Sequence, residues 1–259
     1  MKKQSTTARW IALLAMGLGV FMGLLDVTVV NVALPTMVKG FNTTFTNLQW
    51  VLNAYTLVYA VTLMIMSKLG DMYGRKKIFL GSLILFVIAS AINGMAPSLL
   101  ILDLGRGVQA IGGAGMMSLS MALVASNFDG KERGLALGIL GSIIGVSSAS
   151  GPLIGGYLVE HFGWPAIFYV NVPFGIIAVI LTVFYVRETP SYGKNHKIDL
   201  AGMILSAIGL FAIIYGLIVK EGHPHWAWTD PRVLGLLAGG IIVMIAFVLV
   251  EARVCLLYT

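Results

Sequence analysis

Eight apolar runs set the pattern of this chain, near residues 10 to 34, 48 to 67, 78 to 95, 98 to 125, 135 to 158, 166 to 186, 199 to 219 and 232 to 252. A helix needs about 20 residues to cross a hydrocarbon core about 30 Å thick, and each run is close to that length. The runs are continuous rather than alternating at period two, which predicts spanning helices and not the strands of a transmembrane barrel. The polar breaks are short except at 187 to 198, RETPSYGKNHKI, and 220 to 231, KEGHPHWAWTDP. The first is polar and contains Pro, Gly and Ser, the mark of a connecting segment. The chain therefore divides into a six-helix unit (1 to 186), a linker (187 to 198), an additional two-helix hairpin (199 to 252) and a short tail (253 to 259).

Composition agrees: 58% of the residues are hydrophobic and 11% charged, with a mean hydropathy of +0.91, against about 25% charged residues in soluble domains. The fold class is an all-α integral membrane protein whose first partner is the lipid bilayer. The formal charge of +6 does not point to nucleic acid once the cations are placed. Lys2, Lys3, Arg9, Lys68, Arg75, Lys76, Lys77, Lys131, Arg133, Arg187, Lys194, Lys197 and Arg253 fall at alternate helix ends, and only Lys39, Lys220 and Arg232 at the others. By the positive-inside rule both termini are cytoplasmic in a multi-pass cytoplasmic-membrane protein. The basic start before an apolar run imitates a secretory signal, but the run is too long and carries an acid, so it reads as an uncleaved first helix.

The single cysteine, Cys255, excludes an internal disulfide framework and a cysteine-only metal cluster. His223 and His225, beside Trp226 and Trp228, read as an exposed loop in an interfacial aromatic belt rather than a metal site. No nucleophile paired with a base and no phosphate loop supports an enzyme, and no cofactor is expected.

The chemistry begins with LDVTVVNVALP, Leu25 to Pro35, which sets Asp26 inside an apolar run. Asp26 lies nine positions before Pro35, and Arg106 nine positions after Pro97. With both prolines taken as outer helix ends, each charge lies about 14 Å below the boundary, near the middle of the core. A charge there costs at least about 2.5 to 3.5 kcal/mol, so it faces a cavity or a partner. Burial disfavours the ionised carboxylate and a nearby guanidinium favours it; a group balanced between the two exchanges a proton as its surroundings change. A structural ion pair pinning two helices is the alternative. Asp103, three positions before Arg106 on the same helix, is a rival partner for that arginine or a second proton site. Gln109, one turn from Arg106, is placed to orient it.

These residues resemble the major facilitator superfamily, and within it the fourteen-helix drug:proton antiporters. LDVTVVNVALP resembles the first-helix motif of that family, whose acid, associated with proton coupling, falls on Asp26. Ser67 to Lys77, SKLGDMYGRKK, resembles the loop motif G-x-L-a-D-r-x-G-r-k, departing at Ser67 and Met72. The resemblance gives Gly70, Asp71, Gly74, Arg75 and Lys76 a gating role. Physically, Gly74 permits a positive φ, Asp71 can face the positive start of a helix, and the cations hold the loop inside. RGVQAIGGA, Arg106 to Ala114, resembles the fourth-helix motif R-x-x-Q-G-x-G, with Ala110 in place of Gly. In the fifth span Gly138, Ser147, Gly151, Pro152, Gly155 and Gly156 resemble G-x8-G-x3-G-P-x2-G-G, with Ser147 replacing the second Gly; small residues there allow close helix approach. WPAIFYVNVPFG, Trp164 to Gly175, resembles W-R-W-x-F-x-x-N-x-P-x-G, with Pro165 and Ala166 replacing Arg and Trp.

The resemblance covers about residues 10 to 252. It implies an N-terminal six-helix bundle built as a 3+3 inverted repeat, of which GDMYGRKK and FDGKERG are a weak sequence trace, plus two added helices. It further implies proton-coupled export of lipophilic or cationic small molecules, driven by a proton gradient. Six more helices are implied beyond Thr259, so the ending EARVCLLYT reads as truncated and the partner as a missing C-terminal half. The other functional readings are a half-transporter inactive alone and a carrier of another small metabolite. Phe21, Asn31, Trp50, Tyr55 and Tyr59 are the candidate substrate-cavity residues, the aromatics as faces for a cation or as interface anchors.

Overall fold

A computed structural model of the chain describes residues 5–189, 200–223 and 225–258. Lys2, Lys3, most of the 187 to 198 linker with Lys194 and Lys197, and Thr259 lie outside the described residues. The described residues form α1 (Thr6–Gly40), α2 (Phe45–Leu48), α3 (Trp50–Tyr73), α4 (Arg75–Gly94), α5 (Leu99–Asn127), α6 (Gly130–Phe162), α7 (Ala166–Tyr169), α8 (Asn171–Tyr185), α9 (Leu200–Gly222) and α10 (Pro231–Tyr258), with no strand among them. The short α2 and α7 extend α3 and α8, so the described residues make eight spans long and apolar enough to cross a membrane.

Helix ends follow side-chain caps more closely than hydropathy. Ser5, Thr44 and Ser98 accept backbone N–H bonds at the starts of α1, α2 and α5, relieving the unpaired donors of a first turn. Pro35 does not end the first helix, as the sequence reading assumed; α1 continues to Gly40. Pro35 removes one donor, but Leu34 and Met37 on either side of it are buried in a hydrophobic cluster that holds the turn in place. At the other end of the chain α10 runs past residue 252 to Tyr258.

Packing reveals the internal symmetry. Pair α1, α3 and α4 with α5, α6 and α8 in order: contact α1 with α6 maps onto α5 with α3, and α1 with α8 maps onto α5 with α4. The contacts α1 with α5 and α4 with α8 map onto themselves. Three spans per unit make the second unit enter the membrane from the opposite side, so the repeat is inverted. The α9–α10 hairpin leans on α3 through α9, with Trp50 against Tyr215 at 6.4 Å between ring centroids.

The core has two clusters. One, around Met16, Phe79, Phe86, Leu123 and Phe128, fills the basic end of the bundle; the other, around Leu25, Met37, Val51, Leu102 and Phe168, fills the opposite end. Outward faces carry Leu14, Ile88, Leu100, Leu104, Phe184 and Ile242 exposed, a surface that hydrocarbon solvates without polar cover.

Candidate functional site

At the junction of the two core clusters lies a layer of buried polar side chains: Asp26 from α1, Ser90 and Asn93 from α4, Arg106 and Gln109 from α5, and Asn171 from α8. Asp26 and Arg106 are each 1% exposed. Arg106 Nη1 donates to Asp26 Oδ2, closing a salt bridge between α1 and α5, the two helices the internal symmetry exchanges. Gln109 Nε2 donates to Asp26 Oδ1 at 2.9 Å, and Asn171 Nδ2 donates to the same oxygen at 3.1 Å. Gln109 Oε1 accepts from Arg106 Nη1 at 2.8 Å and from Asn93 Nδ2 at 2.8 Å. The arginine also donates through Nε to the Val51 carbonyl at 3.2 Å, and its guanidinium lies 4.2 Å from the Tyr55 ring centroid. Taking two charges out of water is repaid only when geometry and further hydrogen bonds satisfy both. Both ions have such partners here.

The arrangement limits what a proton can do. A proton arriving at Asp26 Oδ2 would face the Nη1–H of Arg106, donor against donor. Oδ1 in turn already accepts from Gln109 and Asn171, so a proton is held on either oxygen only where one of these donors withdraws.

Asp103 is not among Arg106's partners, correcting the expected local pair; its Oδ1 is buried and makes no hydrogen bond. Asn93 and Ser90 went unread in the sequence, and Asn171 stood there only as the Asn of WPAIFYVNVPFG, with no place in the site. The signal was the one that exposed Asp26: amides inside apolar spans need partners.

Beside this layer α1, α3 and α5 enclose a cavity of about 250 Å³, lined by Val20, Leu24, Val27, Tyr55, Tyr59 and Met116, among others. Tyr55 and Tyr59 stack at 5.8 Å between centroids. Of the expected cavity residues these two are on the wall and three are not. Phe21 turns to α8 and meets Phe174 at 6.5 Å. Asn31 continues the Val20–Leu24–Val27 stripe one turn beyond the cavity, exposed and bonded to the Val27 carbonyl at 2.9 Å. Trp50 faces the α9 residue Tyr215.

The fifth-span motif splits by face. Ser147 donates to the Phe21 carbonyl at 2.7 Å. A Cβ on Gly151 would sit 2.0 Å from Thr28 Oγ1, and one on Gly155 3.2 Å from Val29 Cγ1, so these two glycines set the α1–α6 approach. Gly138 and Gly156 have nothing within 4 Å of a built Cβ, and Pro152 is exposed; these three point away from the bundle.

At the basic end Gly70 packs on Leu119 of α5. Gly74 holds φ +109°, the left-handed conformation that glycine adopts without penalty. Asp71 pairs with Arg75, 2.7 Å to Nη2. It does not face a helix start: that place at α4 belongs to Glu188, whose carboxylate accepts from the backbone N–H of Lys76 at 2.9 Å and of Lys77 at 3.1 Å. Asp71 closes α3, at the negative end of its dipole, so a following cation is the better partner. Lys76 Nζ donates to the Val183 carbonyl at 2.8 Å. Glu188 was visible as the lone acid in the basic stretch after the sixth span.

Comparison with known proteins follows the same lines. The Major Facilitator Superfamily pattern matches residues 16–252. The chain is similar to the Multidrug resistance protein Stp of Mycobacterium tuberculosis (strain CDC 1551 / Oshkosh), 38% identical over 244 residues, covering 94% of this chain and 45% of that protein. It is also similar to the Riboflavin transporter RibZ of Clostridioides difficile (strain 630), 37% identical over 199 residues, covering 77% of this chain and 44% of that protein. The chain thus spans about half the length of these relatives. Among solved structures, an inward-facing, occupied bacterial homolog of the human lysosomal transporter Spinster shares the fold, with a TM-score of 0.63 at 22% identity, covering 93% of this chain and 59% of that one.

Proposed function

Because the chain belongs to the Major Facilitator Superfamily, a family of membrane transporters, we propose that it is the N-terminal part of a proton-driven exporter of lipophilic or cationic small molecules. It sits in the cytoplasmic membrane with its basic helix ends inside, and the second half of the translocation path is supplied by a further six-helix unit. The transport reading draws support from a site whose ion pair is held by amides between membrane-spanning helices.

One observation carries the proton coupling: Tyr55 lines the cavity and stacks on the guanidinium that neutralises Asp26. Cargo pressing on Tyr55 bears on Arg106, and Arg106 competes with a proton for Asp26. A proton entering down a 100 mV potential supplies about 2.3 kcal/mol, which the cycle spends on separating the pair and turning the cavity to the other side. A drug-resistance relative supports export of foreign compounds. A second reading, a carrier of another small metabolite, is favoured by the riboflavin transporter among the relatives.

The test is proton release in everted membrane vesicles carrying the complete gene product. Addition of ethidium to energised wild-type vesicles is expected to discharge the pH gradient, and the Asp26→Asn variant is expected to leave it intact. Discharge of equal size in the variant defeats the coupling role of Asp26.

A further inference from the structure

Of the side chains that hold Asp26, one can change what it offers. Three donors reach the carboxylate, Arg106 at Oδ2 and Gln109 and Asn171 at Oδ1. A guanidinium has donors only, so Arg106 has nothing with which to accept from a protonated acid. Gln109 has an acceptor, but its Oε1 is taken by Arg106 Nη1 and Asn93 Nδ2, both at 2.8 Å. Inverting that amide would set its NH2 against both donors. Asn171 differs. It is 1% exposed, and its Oδ1 is buried with no hydrogen-bond partner, although an unmet buried acceptor is costly. Its Nδ2 spans Asp26 Oδ1 and Ser90 Oγ, each at 3.1 Å.

Turning the Asn171 amide over about its Cβ–Cγ bond exchanges two atoms of similar size in one plane, along a torsion whose preferences are broad and roughly two-fold. The end state fills the same volume as the start. Oδ1 then lies where Nδ2 was, within reach of both Asp26 Oδ1 and Ser90 Oγ. Ser90 suits either orientation, because a hydroxyl donates and accepts; it accepts from Nδ2 while donating to the Phe168 carbonyl at 2.8 Å. The number of unmet groups is unchanged, since the NH2 takes the place of the orphan oxygen. With Asp26 ionised, the observed orientation is favoured, two amide donors and a guanidinium on one charge. With a proton on Oδ1, that orientation sets donor against donor, and the inverted one gives the proton an acceptor.

We propose that Asn171 is the positioning residue for the protonated state of Asp26: its amide inverts as Oδ1 takes up a proton, changing from donor to acceptor. The inference rests on reading Asp26 as the proton-carrying carboxylate. One O–H bond forms on Oδ1 with a proton delivered by water, and the side chain passes from anion to neutral acid. Oδ2 stays an acceptor for Arg106, and Oδ1 keeps a lone pair for Gln109. What is lost is the attraction of opposite charges between α1 and α5, so the proton loosens the pair before the helices part. Arg106 is the charge that answers. Around it α3 contributes Tyr55, whose ring lies 4.2 Å from the guanidinium, and α5 contributes Asp103, outside this network. The charges of α4 and α6 lie only in their first and last few positions, and α7 and α8 carry none.

The test is infrared difference spectroscopy, acidified minus neutral, of the full chain in lipid nanodiscs, with isotope-labelled asparagine side-chain amides so that glutamine does not overlap. Wild type is expected to show a carboxylic acid band that Asp26→Asn lacks. In step with it, one labelled amide C=O band is expected to shift to lower frequency, because an oxygen that accepted nothing comes to accept an O–H. Asn171→Ser is expected to lose this shift. Asn93→Ser is expected to keep it, since the Asn93 oxygen is packed against Gly105. An Asp26 band with no labelled-amide shift in wild type overturns the proposal and leaves Asp26 as the proton carrier. An upward shift, the mark of an N–H that merely loses a charged acceptor, does the same. A downward shift that survives Asn171→Ser, or that persists in Asp26→Asn, also overturns it; the second comparison decides even where Asn171→Ser does not assemble. A spectrum without the Asp26 band defeats the proton-carrying reading itself, and the inference with it.

Discussion

Asp26 shows how far one residue can be read and where the reading stops. An acid in an apolar span must have a partner, and the nine-residue offsets from Pro35 and Pro97 placed Arg106 at its depth; the two side chains do meet. The marker itself was wrong, since α1 passes through Pro35. The depth match survived because Asp26 and Arg106 are near the middle of long helices. Asp103 against Asp26 was not decidable from spacing, because i, i+3 proximity says nothing about a helix not yet placed alongside. Removing one member of a buried pair costs about 3 to 5 kcal/mol because it strands the other charge. Asp26→Ala and Arg106→Ala are each expected to lower the thermal midpoint of the purified chain sharply, and the double variant by much less than the sum. Additive losses would mean that the pair is not one unit. At the basic end, Gly74→Ala combines a positive φ with a Cβ 2.7 Å from the Glu188 carboxyl carbon, and strain of this kind costs about 1 to 3 kcal/mol. Glu188→Gln loses an exposed charge at a helix start, about 0.3 to 1 kcal/mol, and one of the two oxygens that accept from the Lys76 and Lys77 N–H groups. The first variant is expected to be the less stable in a thermal melt, and the opposite order would remove the backbone argument.

Single helices were legible as spans, and their faces were not. Hydropathy located all eight spans, with ends off by several residues, because the boundary is set by caps such as Ser98 and by how far a helix projects past the hydrocarbon. The α6 motif illustrates the limit. Six small residues at fixed spacing suggested one packing surface, yet Ser147, Gly151 and Gly155 meet α1 while Gly138 and Gly156 meet nothing. A helix turns about 100° per residue, so a spacing list that mixes intervals of one, three, four and nine necessarily covers more than one face. Gly151→Ala drives a methyl into Thr28, 2.0 Å from Oγ1 and 2.4 Å from Cβ, and overpacking of this kind costs about 1 to 3 kcal/mol. It is expected to destabilise the chain and weaken any activity that needs α1 and α6 together. Gly138→Ala has open space around it and is expected to leave the thermal midpoint unchanged or slightly raised. Equal losses from both would contradict the division of faces.

At the scale of the whole molecule the inverted repeat brings the mechanism together. Its symmetry exchanges α1 with α5, so the two helices carrying Asp26 and Arg106 meet where the repeats meet. A polar layer there joins two hydrophobic clusters and borders a cavity on one side. The short sequence echo of GDMYGRKK in FDGKERG hinted at the repeat, but only packing reveals which helices exchange. The α4 amide Asn93 escaped notice because alone it is an unremarkable polar residue near a span end, and the α8 amide Asn171 was read only as a motif position, with nothing to link it to Asp26. The account's central claim is that Asp26 couples movement of cargo to movement of a proton rather than merely pinning α1 to α5. The most direct measurement reconstitutes the complete gene product in proteoliposomes and separates exchange from driven transport for Asp26→Asn. The expected result is that one-for-one exchange of labelled ethidium continues while accumulation driven by an imposed pH gradient disappears. Driven accumulation at the wild-type level in that variant would contradict the account.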